Sequence, residues 1–394
     1  MTDISSGRTR RGIRPARLVG TVAFSALVVL LASCQAGGTG TTPTAGGGRV
    51  PSDVTDSLAQ YTGDTSWAPP GDPYDVSSVK GKTVYWVVQG PGNPFLETVG
   101  ANFAQALKSV GVGVITCNGN YNPVDYARCI DTAVSQGAAA IQFDGGDAST
   151  IAAALDGAKK AGIPVLGGDS LDASKPVPDG IAAHTSSAFI LGADLMAKWV
   201  IADSNGAANS LFITSPDVVG SVQEADSFKA TMAKYCPDCK VTEAQVTQQH
   251  WATDLGTAAT SAVRKDPSIT YVVPSFDVMA TYTNPAMKLA GLNGKVKMVS
   301  SNASLDQMKS LAAGDFFAAE VGQNVPAIGY IEADQLLRVL VRQDPIKNYV
   351  APVRIFTKDD ATKLNLTQKD YDSGAWYGTA TSLVASFAAH WKTN

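Results

Sequence analysis

The chain has 394 residues, 45% of them apolar and 17% charged, with a formal net charge of −4. That length allows about two or three domains at roughly 100–200 residues each, and the composition excludes a chain that is disordered throughout. An acidic balance also argues against a nucleic-acid partner.

The chain opens on Arg8, Arg10, Arg11, Arg14 and Arg17, a positive stretch followed by an apolar run over residues 18–31. The run is shorter than the ~20 residues of a membrane-spanning helix, which fits a signal peptide over residues 1–33. It ends in LASC, residues 31–34; small residues before a Cys resemble the bacterial lipobox. That resemblance implies lipidation of Cys34, which becomes the mature N-terminus. The Arg10–Arg11 pair faintly resembles a twin-arginine signal, so general secretion and twin-arginine export both stay open. Removal of residues 1–33 takes five Arg and one Asp from totals of 31 basic and 35 acidic residues, leaving a net charge of −8. The expected address is extracytoplasmic, lipid-anchored to the cell membrane. Residues 34–79 then form a lipid-anchored tether and N-terminal extension. Its first part, QAGGTGTTPTAGGGRV, reads as flexible. The part from residue 51 is Pro/Asp/Ser-rich, has one weakly helical patch and is expected to drape over the surface.

From residue 82 the pattern alternates. Apolar, strand-like runs occupy 84–88, 112–116, 139–143, 164–167, 210–214, 240–246, 271–273, 297–300 and 317–321. Helical runs lie between them at 95–110, 124–136, 148–161, 188–203, 220–235, 253–265, 278–290 and 304–313, each ending near Gly, Asn or Pro. Strands alternating with helices mean βαβ units, parallel sheets and right-handed crossovers. Nine strands are too many for one comfortable sheet. The expected fold is therefore α/β, two Rossmann-like lobes with parallel sheets; the resemblance described below implies that they are joined by a three-segment hinge. In such sheets a ligand sits at the carboxyl ends of the strands, here the crevice between lobes.

The first strand ends in QGPGNPFL, residues 89–96, where a dinucleotide enzyme would place its phosphate loop. The G-x-G-x-x-G fingerprint fails: Gly90 and Gly92 are followed by Phe95 at the third position, and Pro91 and Pro94 remove amides from any anion nest. No cofactor is expected. Four Cys remain after Cys34, an even number suited to disulfides in an exported protein. The economical pairing among three is Cys117 with Cys129 and Cys236 with Cys239. The CPDC run at 236–239 would need two further ligands to hold zinc, and the three His are scattered at 184, 250 and 390. No metal site is expected.

An Asn-Pro-Phe run after the first strand closely resembles the type I periplasmic binding proteins of the ribose/galactose class, the solute receptors of ABC importers. The resemblance spans roughly residues 82–356. It includes AGIP at 161–164 before a strand ending in Asp169, QQHWATDLG at 248–256, SFDVM at 275–279, MVSSN at 298–302 and QNVPAIG at 323–329. It implies that Asn93 and Phe95 bond and stack the solute, that Asp169 accepts from hydroxyls, and that Trp251 stacks from the second lobe. Asn302 stands where the family usually has Asp, and Gln323 matches a Gln on the hinge side. Three positions depart: Ser170 and Val222 replace arginines, and Phe276 replaces an Asn. Lost guanidinium donors and a gained aromatic imply a less polar or differently shaped solute, such as a deoxysugar, a small polyol or an aromatic-bearing molecule. Helix capping is the lesser, alternative reading for Asn93 and Asp169, as core packing is for Phe95, Trp251 and Phe276. Asp144, Asp147 and Asp277 at strand ends can cap or contact alike.

The resemblance implies lobes over 80–185 plus 324–351 and over 186–323 plus 352–394, with crossings near 184–187, 323–324 and 352–355. The implied function is an extracytoplasmic solute-binding lipoprotein, a monomer that delivers a small sugar-like solute to an ABC permease. A sensor subunit presenting its ligand to a membrane receptor is the alternative. A secreted hydrolase ranks last, because G-x-S-x-G and H-E-x-x-H are absent and the Ser-x-x-Lys at 77–80 lies in the extension. No catalytic residue is expected.

Overall fold

The computed structural model describes residues 50–393, apart from 66, 173 and 379–381. The signal peptide, Cys34 and most of the tether lie outside the described residues. The extension gives a helix α1 (Ser52–Ala59) and a two-residue strand β1 (Tyr74–Asp75). The first lobe then winds through β2 (Thr83–Val88), α2 (Pro94–Ser109), β3 (Gly113–Asn118), α3 (Pro123–Ser135), β4 (Ile141–Asp144), α4 (Ala152–Lys160), β5 (Val165–Gly168) and β6 (Ala183–Thr185). Its sheet runs β3-β2-β4-β5-β6, all parallel. Strand β2 reads TVYWVV because helices cover both faces, leaving every residue after Thr83 buried.

The second lobe repeats that winding. It contains α5 (Phe189–Asp203), β7 (Asn209–Thr214), α6 (Val219–Tyr235), β8 (Lys240–Gln245), α7 (Trp251–Lys265), β9 (Tyr271–Pro274), α8 (Ala280–Leu289), β10 (Lys297–Ser301), α9 (Leu305–Ala313) and β11 (Phe317–Gln323). The chain returns to the first lobe as α10 (Val325–Leu340) and comes back once more as β12 (Val353–Thr357), followed by α11 (Lys358–Ala361) and α12 (Gln368–Asp372). The six-stranded order is β8-β7-β9-β10-β11-β12, with only β12 antiparallel. In both sheets the order reverses beside the first strand, so each lobe presents a switch-point crevice at its carboxyl edge.

Close packing explains the Gly that ends the QNVPAIG run. Helices α10 and α2 cross at Gly329, where a Cβ would stand 2.3 Å from the Val99 carbonyl and 2.7 Å from the Phe103 amide. Neither backbone atom can swing aside. Both disulfides form as the economical pairing has them: Cys117–Cys129 ties β3 to α3, and Cys236–Cys239 closes the turn after α6, with Cα separations of 5.7 and 5.3 Å.

The chain crosses from one lobe to the other between β6 and α5, at Asn324, and before β12. The two ends of the chain alter the three-segment reading. Helix α1 packs on α5, and Lys198 Nζ donates to Ser57 Oγ at 2.9 Å. Asp64 accepts from Arg354 Nη1 at 2.9 Å, so the extension begins on the second lobe. Trp67, by contrast, stacks on Tyr349 and meets Phe387 in the first. The C-terminal segment mirrors this. Residues up to Tyr377 belong to the second lobe, where Tyr377 meets Phe356 edge-on. Helix α13 (Leu383–His390) and β13 (Trp391–Lys392) sit on the first: Phe387 and Trp391 stack against Tyr330, and β13 pairs with β1.

Two further passages therefore join the lobes, and the pair is tied together. The Thr65 amide and hydroxyl both donate to the Tyr377 carbonyl, at 2.8 and 2.7 Å. The expectation that residues 352–394 all pack on the second lobe is corrected for 383–392. The cause is a buried network. Asp334 of α10 accepts from Tyr74 Oη at 2.8 Å, Trp391 Nε1 at 2.7 Å and Arg338 Nε at 2.8 Å. A buried carboxylate needs such donors, and only the chain's two ends supply the aromatic ones.

Candidate functional site

A cavity lies between the lobes, lined from both. The first lobe contributes Gln89 at the end of β2, Asn93, Phe95 and Leu96 at the start of α2, Gly145 after β4, and Asp169 after β5. The second contributes Phe189 at the start of α5, Val218 before α6, Gln248 and Trp251 at the start of α7, Phe276 and Val278 after β9, and Asn302 after β10. Every wall is thus a loop or helix start beyond a strand's carboxyl end.

Asn93 combines both roles the sequence left open. Its Oδ1 caps α2, accepting from the Phe95 amide at 3.0 Å and the Leu96 amide at 3.5 Å. Its amide nitrogen stays available to the cavity, because a cap uses only the acceptor. Pro94 at the first helical position loses no bond. Asp169 is held in the left-handed region, φ 52°, which Asp tolerates better than most residues. Its Oδ1 accepts from Ser187 Oγ at 2.6 Å; Oδ2 is buried and has no protein partner. Burial, and then the nearby Asp144, push this carboxyl well above the usual carboxylate range. Asn302 is likewise left-handed, φ 96°, with Oδ1 accepting from Gln323 Nε2 at 2.8 Å. Two non-glycine residues in that region at one cavity fit a site where strain holds side chains in place.

The opposite wall is aromatic. Trp251 and Phe276 have ring centroids 6.4 Å apart, as do Phe276 and Phe189. The indole N–H of Trp251 is spent on Ser215 Oγ at 2.6 Å, so the ring offers the cavity only apolar surface.

Beneath each wall lie carboxyls that burial pushes toward the neutral form. In the first lobe Asp144, pushed up to about 6, accepts from Trp86 Nε1 and from Gln142 Nε2, the latter at 2.7 Å. Glu332 of α10 reaches the same spot and is pushed well up by burial and by Asp144 and Asp169. Gly168 makes room for both, since a Cβ there would lie 2.1 Å from Glu332 Oε1 and 2.2 Å from Asp144 Oδ1. In the second lobe burial raises Glu224 and Glu320 well above the usual range and Asp277 to about 6.

A sequence profile of the periplasmic binding protein domain matches residues 84–344. The chain belongs to the periplasmic binding protein family. Proteins of this family capture solutes outside the cytoplasm and are not enzymes. No curated protein matches the sequence. Several solved solute-binding proteins share the fold. One from Thermotoga lettingae, in complex with 5-methylthioribose, is 17% identical, with a TM-score of 0.67 over 77% of this chain and 95% of its own. One from Mycobacterium smegmatis, in complex with β-D-fucofuranose, is 21% identical, with a TM-score of 0.66 over 76% and 98%. One from Agrobacterium vitis with bound allitol is 19% identical, with a TM-score of 0.65 over 72% and 98%.

Within this periplasmic binding protein, Asn93, Phe95, Asp169, Trp251, Phe276 and Asn302 come together at the cavity. Ser170, Val222 and Gln323 do not line it. Ser170 turns away to meet His184 Nε2 at 3.0 Å, and His184 Nδ1 meets Ser186 Oγ at 3.0 Å. Burial lowers the His184 pKa to about 4. Val222 sits one turn into α6, beyond the first turn that faces the cavity. Gln323 braces from behind, its Oε1 accepting from the Ala188 amide at 3.2 Å while its amide holds Asn302.

Sequence reasoning missed Gln89, Phe189, Val218 and Gln248. Gln248 opens the QQHWATDLG run already singled out, and Phe189 begins the helix entered from the first crossing; both carried that signal. The three His stay apart: His250 bonds Thr247 at 2.7 Å, and His390 lies 3.0 Å from Arg338. Asp147 is a cap, accepting from the Ser149 amide. No helix among the described residues is long and apolar enough to cross a membrane.

Proposed function

We propose that this chain is the extracytoplasmic, lipid-anchored receptor of an ABC importer, capturing a small sugar-like or polyol solute and handing it to a membrane permease. The observation that carries the reading is the cavity itself: neither lobe encloses it alone, and both bring amides and rings to it. A solute seated on one lobe gains its remaining contacts only when the other closes. It therefore shifts an open–closed equilibrium by its differential affinity for the two forms. The closed form is the one that docks on the permease, and any ATP is used by that partner.

The solute is bonded by Asn93, Asp169 and Asn302 and stacked by Phe95, Trp251 and Phe276. Allitol, 5-methylthioribose and β-D-fucofuranose, the molecules in three proteins of this fold, are compact solutes that combine hydroxyls with apolar surface. A wall of rings beside a row of amides suits that class. Lipidation of Cys34 would keep the receptor at the membrane, and a single functional cavity fits a monomer.

A thermal-shift screen of the purified protein against pentoses, hexoses, deoxysugars and alditols tests this. A ligand at ~100 times its Kd adds about 2.7 kcal/mol, worth a few degrees in a protein of this size. A shift from any member, lost in Trp251→Ala, supports the reading. No shift across the panel removes the carbohydrate class.

A further inference from the structure

The charge inventory of the cavity is lopsided. Among the described residues that line it, Asp169 is the one ionisable side chain, and none is Lys, Arg or His. Asp169 keeps one oxygen bonded to Ser187 and leaves Oδ2 without a protein partner, although the residue is only 6% exposed. A buried carboxylate oxygen with no donor is costly, so its partner is expected to arrive with the ligand. Among its neighbours Asp144 and Glu332 make no hydrogen bond to Oδ2, and His184 is held by two serines.

The rest of the cavity points the same way. Phe95, Phe189, Trp251 and Phe276 ring it, and the one N–H among them is spent on Ser215. Ring faces attract a cation through their quadrupole, more strongly once it is desolvated. An aromatic enclosure with one carboxyl that an arriving cation would ionise, and no basic residue, selects against anions and rewards positive charge. The excess of acidic residues over the whole chain steers in the same direction.

We infer that the solute carries a cationic nitrogen, as in an amino sugar or an amino alditol, with the ammonium at Asp169 Oδ2 among the rings and the hydroxylated body on Asn93, Asn302 and the Gln89 and Gln248 amides. This rests on the solute-binding reading above and narrows its substrate class.

Matched pairs separate the two. Titration calorimetry of the purified protein compares 2-amino-2-deoxyhexoses with the parent hexoses and with their N-acetyl derivatives, and 1-amino-1-deoxyalditols with the alditols. The amine of at least one pair is expected to bind on the order of tenfold to a hundredfold tighter than its neutral partners, the range of a charged hydrogen bond plus a cation–π contact. In Asp169→Asn, which retains an acceptor for Ser187, that ratio should fall to about one. Neutral members binding as well as or better than the amines would overturn the inference and leave the receptor reading standing. An amine preference that survives Asp169→Asn overturns the assignment to Asp169. No binding by any member overturns both readings.

Discussion

The two lobes are wound alike and face each other with different chemistry. Both sheets place their first strand second in order, both bury acids beneath the carboxyl edge, and both turn loops toward the cavity. Yet the first lobe offers the Gln89 and Asn93 amides, the Asp169 carboxyl and one ring, Phe95, while the second offers three rings, Phe189, Trp251 and Phe276, beside the Gln248 and Asn302 amides. The sheet fixes where a site must be, and the few residues after each strand decide what it binds. Their closures differ as well: the first lobe is completed by the two ends of the chain, whereas the second draws on the extension and β12.

That difference in closure gives the largest expected effect. Asp334→Ala removes the acceptor of Tyr74, Trp391 and Arg338 and leaves a buried guanidinium unpaired, a loss of about 3–5 kcal/mol. Calorimetry should show the first lobe melting ahead of the second; a single shifted transition would show that the lobes are more tightly coupled than their separate cores suggest. The contrast across the cavity comes next. Trp251→Ala should weaken solute binding by about a hundredfold, the scale of a buried aromatic anchor, measured by titration. An equal affinity would remove the second lobe from recognition.

The buried acids sharpen the comparison through pH. Asp277 has its pKa raised from 3.8 to about 6 by burial. The folded state thus holds a proton that the unfolded chain releases, and this contribution is full below about pH 4 and lost as pH rises through 6. Asp277→Asn can still accept from the Ser304 amide and never ionises. It should therefore be more stable than the parent by about 2–3 kcal/mol at pH 8 and equal to it at pH 4, read from denaturant midpoints. A gain independent of pH would place the effect elsewhere. The smallest effect is on the added passages. Thr65→Val removes the hydroxyl bond to Tyr377 while keeping the amide bond, a loss of about 1 kcal/mol in chemical denaturation. No loss would mean that the two passages run side by side without supporting each other.

Much of this was legible in the sequence for a definite reason. Buried parallel strands such as TVYWVV and helices stopped by Gly or Pro announce themselves locally, and the run after β2 announced Asn93 and Phe95. What stayed hidden depends on contacts between distant residues. Nothing near Leu383 says that its helix returns to the first lobe; that follows from Asp334, whose partners Tyr74 and Trp391 lie 317 positions apart. Ser170 adjoins Asp169, yet the left-handed turn at 169 sends it to His184, which a motif match cannot show. Gln248 and Phe189 were missed because an amide or ring at a helix start looks like any other until the facing lobe is in place.

The pairing of β1 with β13 has a consequence for the order of events during folding. Tyr74 is made early, but its partner Trp391 follows 317 residues later. The second lobe has its whole complement once residue 377 is out, while the first must wait with Tyr74, Asp334 and the face of α10 uncovered. Such long-range closure is slow, and a half-built sheet with an open apolar face is prone to aggregation. This lobe therefore stays open until β13 arrives, and a chain stalled short of Trp391 would expose the face that the finished lobe buries.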